Sequence, residues 1–179
     1  TGIAARRVVN SEESLAELGG LAAERSLEMA GWSADSLDLI LLATSTPDDL
    51  FGSAPRLQAR LGANHAAAFD LTAACSGFLF AVVTAAQYLR SGAMRRILVV
   101  GADQLSRWVN WDDRRSCVLF GDAAGAVVLE ASETGQDDLD GFLLRSDGSR
   151  GEVLQLPQVS QRQPLVGDAS HQCGGFDPI

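Results

Sequence analysis

The segment Phe69-Asp70-Leu71-Thr72-Ala73-Ala74-Cys75-Ser76-Gly77-Phe78 sets one thiol between a short apolar run and a stretch of helix formers. Residues 66–71 suit a strand and 76–90 carry helix formers without proline, so the spacing predicts a strand that turns sharply into a helix at Cys75. The first N–H groups of a helix lack intrahelical acceptors and carry a macrodipole of about half a positive charge, which favours a thiolate and a negatively charged oxygen beside it. That setting suits an acyl-transfer nucleophile. The competing reading is a buried structural thiol, because free cysteine usually behaves as a small hydrophobe. Ala73, Ala74, Ser76 and Gly77 leave room for a substrate at the sulfur, and Gly77 costs up to about 1 kcal/mol in helix propensity, which argues for a steric reason. These local features leave both readings open.

The elements that must position the thiol are legible on either side of it. Ser11-Glu12-Glu13-Ser14 is a helix start, followed by a stripe of Leu15, Leu18, Ala22, Leu27 and Ala30 that ends at Gly31. Leu37 to Thr44 reads as a buried strand, Ser45 to Gly52 as a loop and Ala54 to Leu61 as a second helix. Arg96 to Ala102 and Ala123 to Ala131 repeat the buried-strand signature. Helices alternating with apolar strands predict an α/β layered domain with a largely parallel sheet. Beyond it, Glu133 to Asp140 reads as a polar turn, Gly141 to Ser146 as a strand and Asp147-Gly148-Ser149 as a turn. Residues 157–179 read as loop, and no internal repeat is found.

Composition narrows the function classes. With 179 residues and 46% hydrophobic content the chain suits one soluble domain with a full core. The net charge of -9, with no lysine among 14 basic residues, argues against a nucleic-acid binder. Arg95-Arg96 and Arg114-Arg115 read as solvated pairs or as local sites for a phosphorylated ligand. Cysteines at 75, 117 and 173 form neither a disulfide framework nor a zinc spacing, which favours a reducing compartment. No apolar run reaches the ~18 residues of a membrane span, so the expected location is cytoplasmic. The start at Thr1 and the end at Ile179 suggest a piece of a longer polypeptide. Val99-Val100-Gly101-Ala102-Asp103 lacks a Gly-x-Gly-x-x-Gly run and reads as a tight strand end. Phe120-Gly121-Asp122-Ala123-Ala124-Gly125-Ala126 reads as close backbone packing before a strand, and His65 as a surface turn residue.

Taken in order, Thr1-Gly2-Ile3, the Cys75 segment, Val99 to Asp103, Phe120-Gly121-Asp122 and Asp147-Gly148-Ser149 form a set that closely resembles the 3-oxoacyl-[acyl-carrier-protein] synthase III family over nearly the whole chain. The resemblance implies an α/β thiolase-like fold, α-β-α-β-α in two similar halves, of which residues 1–179 are the N-terminal half without its opening strand. It also implies the reaction that starts fatty acid biosynthesis: acetyl-CoA acetylates Cys75, malonyl-acyl carrier protein loses carbon dioxide, and its carbanion attacks the thioester to give acetoacetyl-acyl carrier protein. Acetyl-CoA is then a substrate, and no cofactor is implied. By the same resemblance the Cys75 N–H is an oxyanion donor and Arg114 stacks on the CoA adenine. Thr44, Leu105, Leu119 and Phe120 line the acyl pocket or serve as ordinary core. Leu50-Phe51 reaches a partner subunit's pocket, so a homodimer is implied.

The departures from the family pattern bear on activity. The family's decarboxylating histidine, in a His-Gln-Ala-Asn motif, and its asparagine have no counterpart; His171-Gln172-Cys173-Gly174 is a coincidental match to two letters. The tryptophan that sandwiches the adenine falls before Thr1, and Trp32, Trp108 and Trp111 do not align with it. The isolated chain is therefore expected to be nearly inactive in condensation. The alternatives are a related condensing enzyme of polyketide or other secondary metabolism, and a non-catalytic partner subunit.

Overall fold

The computed structural model describes residues 2–134 and 137–156, and the backbone of 158–159 and 175–176. Helix α1 (Leu15–Ala30) opens on a capping box in which Ser14 Oγ accepts the Glu17 N–H at 3.1 Å and the Glu17 carboxylate accepts the Ser14 N–H at 2.9 Å. The start therefore lies at Ser14, the last residue of the expected cap cluster. Two further N–H groups, of Leu15 and Ala16, donate to the Asp48 carboxylate at 2.8 and 3.2 Å, and Gly31 ends the helix at φ 68°.

Strand β1 (Leu39–Ala43) is wholly buried, α2 (Ala54–Leu61) follows the loop, and β2 (Ala67–Leu71) precedes α3 (Gly77–Arg90). Strands β3 (Arg96–Gln104) and β4 (Asp122–Glu130) complete a sheet of order β2-β1-β3-β4, in which only the β3–β4 pair is antiparallel. Period-two alternation divides the sheet between two cores. Ile40, Leu42, Leu98 and Val100 pack with α1 and α2, whereas Leu39, Leu41, Ile97 and Val99 pack with α3 on the opposite face. Each fully buried Leu or Ile contributes roughly 1.5–3 kcal/mol, so β1 and β3 anchor both layers.

Several expectations are refined or overturned. Val99 to Asp103 forms the last part of β3, which ends at Gln104, two residues past the expected Ala102, with no tight turn at Gly101. Gly101 admits the crossing of α3 instead: a Cβ there would lie 3.0 Å from Phe78 Cδ2. Gly141 to Ser146 forms no strand despite its apolar residues, because no neighbouring strand among the described residues supplies a ladder; Leu143 is left exposed. Asp147-Gly148-Ser149 opens a 3-10 stretch (Gly148–Val153), with Asp147 Oδ1 accepting the Ser149 N–H. Within the loop expected over 157–179, β5 (Gln158–Val159) pairs antiparallel with β6 (Gly175–Phe176); the remainder, including His171 to Gly174, lies outside the described residues.

Candidate active site

Cys75 sits in a single 3-10 turn, Ala74–Ser76, that runs directly into α3. It lies two residues ahead of the first α-helical residue, so the helix start supports it from behind. The turn is tight: Ala73 has φ -150° and ψ 39°, and Ala74 has φ 47°, the only positive φ outside glycine among the described residues. A left-handed backbone disfavours a residue with a Cβ. The conformation is fixed on both sides, by the pairing of β2 with β1 and by the Ser76 N–H donating to Ala73 O at 3.1 Å and the Gly77 N–H to Ala74 O. The Cys75 N–H has no backbone acceptor among the described residues. Gly77 is buried, and a Cβ there would stand 3.5 Å from Ala43 Cβ, so the small residue lets α3 close on β1.

The thiol is exposed and faces a recess of ≈ 230 Å³ lined by Ala43, Ala74, Phe78, Gly101, Asp103 and Gly125, among others. Small side chains keep this part of the sheet open. Asp103, on β3, links the recess to the turn after β1. Its Oδ1 accepts from the Ser45 N–H at 2.8 Å and from the Thr44 and Thr46 hydroxyls, both at 3.2 Å. The Thr46 hydroxyl oxygen accepts the Gln104 N–H at 2.8 Å, which closes the network on β3.

Of the residues expected to line an acyl pocket, none shares the Cys75 recess. Thr44 is buried one residue past Ala43 and lines a neighbouring recess of ≈ 470 Å³, with Leu50, Phe51, Phe69 and Asp70. Leu105 begins the 3-10 turn after β3, and Leu119 and Phe120 directly precede Gly121, which does line the Cys75 recess. Leu50 and Phe51 are 85% and 94% exposed at the tip of a loop braced by Asp49, whose carboxylate accepts the Phe51 N–H at 2.8 Å and pairs with Arg56. Arg114 is exposed, with no hydrogen bond or ion pair among the described residues. Its neighbour Arg115 instead donates to Asp113, holding that carboxyl below its usual range.

Sequence reasoning missed the acidic residues that tie this region together. Asp122 accepts from the Ser106 N–H at 2.9 Å, the Ser106 hydroxyl at 2.6 Å and the Val9 N–H at 2.9 Å, while its own N–H donates to Arg7 O. The first ten residues are thereby fastened across the head of β4. Gly121 permits the crossing, since a Cβ there would meet Arg7 O at 3.0 Å. Asp70 accepts the Ser53 and Ala54 N–H groups at the start of α2, the Ala54 bond being 2.6 Å. The available signal was an aspartate at or just beyond the end of an apolar strand, beside a loop with free amides.

This arrangement has counterparts of known kind. The family pattern of 3-oxoacyl-[acyl-carrier-protein (ACP)] synthase III matches residues 69–148. The chain is 69% identical over 179 residues to the beta-ketoacyl-[acyl-carrier-protein] synthase III of Prochlorococcus marinus (strain MIT 9313), covering all of this chain and 53% of that protein. It is 66% identical to the protein of the same name from Synechococcus sp. (strain RCC307), of which it covers 54%. It thus spans about half the length of the curated relatives it matches. Among solved structures, 3-oxoacyl-(acyl carrier protein) synthase III from Pseudomonas aeruginosa PAO1 is similar at TM-score 0.80 and 38% identity, over 87% of this chain and 49% of that one. The priming beta-ketosynthase of the R1128 polyketide biosynthetic pathway is similar at TM-score 0.78 and 33% identity, over 90% of this chain and 47% of that one.

Proposed function

We propose a function on the ground that the chain belongs to the 3-oxoacyl-[acyl-carrier-protein] synthase III family, with its thiolase-like α/β fold: the protein that carries it condenses acetyl-CoA with malonyl-acyl carrier protein in fatty acid biosynthesis, through an acyl-Cys75 intermediate. The observation that supports this most directly is Cys75 itself, exposed on a strained turn at the mouth of a recess, with its N–H unclaimed by the backbone. Attack by the sulfur on a thioester carbonyl builds negative charge on the oxygen, and a donor already in place stabilises that charge without reorganisation. Release of CoA then leaves the acyl group on Cys75. Decarboxylation and carbon–carbon bond formation need the histidine and asparagine of the family, for which the 179 residues offer no matching motif.

The surrounding residues take supporting roles. Arg114, unpaired and exposed, is available to the adenine and phosphates of CoA. Thr44, Leu105, Leu119 and Phe120 lie outside the Cys75 recess and bound only the distal part of a longer acyl chain, where the projecting Phe51 of a second subunit of a homodimer also enters. Free thiols at Cys75 and Cys117 suit a reducing cytoplasm, and no described helix is long and apolar enough to cross a membrane.

Incubation of the chain with acetyl-CoA, followed by peptide mass spectrometry, is expected to show one acetyl group on Cys75 and none after Cys75→Ser. Addition of malonyl-acyl carrier protein is expected to yield no acetoacetyl product from the chain alone. Equal acetylation of the Cys75→Ser chain would overturn the assignment. The likeness to a polyketide priming ketosynthase supports a second reading, with a longer starter; faster uptake of longer acyl groups than of acetyl by Cys75 would favour it.

A further inference from the structure

We propose that Asp103 is a specificity-determining residue that keeps anionic acyl groups off Cys75. The inference rests on the reading of Cys75 as the acyl acceptor, but its physical basis is separate. Asp103 follows Val99 and Gly101 at two-residue spacing on β3, so it lies on the α3 side of the sheet, and it lines the same ≈ 230 Å³ recess as Cys75. Its Oδ1 is saturated by three donors, Thr44 Oγ1, the Ser45 N–H and Thr46 Oγ1. Its Oδ2 takes no hydrogen bond from the described residues, and it is not sealed from solvent. No described ion pair neutralises it.

The remaining lining, mostly Ala and Gly with Phe78, supplies no cationic side chain. A recess of this volume is about 8 Å across if spherical, comparable with the Debye length of about 8 Å at physiological salt, so salt screens two charges inside it only in part. A neutral acyl chain enters without electrostatic cost. A dicarboxylic half-thioester brings a second carboxylate beside an unpaired one, with no cation to offset it. Discrimination then comes from a term set against the wrong substrate rather than from contacts made to the right one. The geometry suits a priming step, in which a neutral acyl group must load while an anionic extender must not.

In the loading step the Cys75 sulfur bonds to the acyl carbon as the bond from that carbon to the CoA sulfur breaks, and CoA leaves as the thiol with the proton that Cys75 gives up. The test compares acyl donors matched in length, propionyl-CoA against malonyl-CoA and butyryl-CoA against succinyl-CoA, by the rate of acyl-Cys75 formation in peptide mass spectrometry. In the unaltered chain the neutral member of each pair is expected to load at least about 10-fold faster, and Asp103→Asn, which keeps the Oδ1 acceptor and removes the charge, is expected to narrow the ratio about 10-fold. Using a ratio removes any effect common to both donors. Loading of the anionic member as fast as the neutral one in the unaltered chain would overturn the proposal without any variant. So would an unchanged ratio in Asp103→Asn. If no CoA thioester loads Cys75, the acyl-acceptor reading fails, and the filter is read by alkylation of Cys75 instead: iodoacetamide should outpace iodoacetate there about 10-fold more than it does at a small neutral thiol. An iodoacetamide-to-iodoacetate ratio at Cys75 equal to that of the small thiol would also overturn it.

Discussion

Ala74 concentrates the chemistry of the site in one backbone angle. At φ 47° it occupies the region glycine prefers, yet it carries a Cβ, and the residue lines the Cys75 recess. Strain of this kind persists where neighbouring structure over-determines it, and here strand β2 and helix α3 do so from either side. Ala74→Gly is expected to change unfolding free energy by less than about 1 kcal/mol, because relief of strain and loss of chain stiffness oppose each other. Ala74→Val is expected to destabilise by more than about 1–2 kcal/mol, since a β-branched side chain tolerates this region poorly. Urea unfolding checks both, and iodoacetamide kinetics at Cys75 should slow in the glycine variant if the turn aims the sulfur. Cys75 stood out in the sequence from its small neighbours, whereas the strain at Ala74 did not, because a Thr-Ala-Ala-Cys string carries no marker of handedness.

Among the elements, α3 depends on partners at both ends. The 3-10 turn that leads into it carries Cys75, and its last residue, Arg90, donates to the Asp137 carboxylate at 2.5 Å and to Leu139 O at 2.9 Å, which folds the segment after β4 over the helix end. The Arg90 hydrogen bond, with a further one from the Leu139 N–H, holds the Asp137 carboxyl below its ordinary value of 3.8. A carboxyl whose folded value is depressed contributes its stabilisation fully above the unfolded value and loses it as pH falls through the folded one. The tie is therefore expected to be intact above about pH 4 and to open progressively below pH 3.8, seen as loss of amide-exchange protection at Leu139. Asp137→Asn should abolish that dependence. The elements themselves were legible: α2 was read at its observed bounds, and α1, α3, β1, β2 and β4 within a few residues, because periodicity and caps are local signals. The supposed strand at 141–146 was not, because a strand needs a partner that sequence pattern does not reveal.

For the whole molecule, the α3 side of the sheet is only half covered. Helix α3 is apolar nearly all round, with Leu79 63% exposed, and β4 turns Ala123, Gly125 and Val127 outward on the same side. A helix of that composition belongs in an interior. The chain spans about half the length of its curated relatives, and we propose that in a protein of their length the remaining half covers this face. Relative to a full-length relative, this chain is expected to bind more of a hydrophobic dye such as anilinonaphthalene sulfonate at neutral pH. Val127→Lys with Leu79→Glu should lower that signal, because charge replaces the open apolar surface. Equal dye fluorescence from the chain and a full-length relative would refute this account of the open face.

What the sequence determined by itself were features written in contiguous residues: the strand-to-helix passage at Cys75, the alternation of apolar elements, the capped start of α1 and the family motifs. Their causes act over a turn of helix or a pair of strand residues, so they leave a pattern in a linear string. Tertiary structure decided which distant groups meet. It placed Asp103 beside Cys75, bound Asp122 to the first ten residues, set Asp70 on the start of α2 and required glycine at 101 for the passage of Phe78. Such contacts join residues tens of positions apart through the crossing of layers, and the match of one carboxylate to a few free amides is fixed only when those layers close.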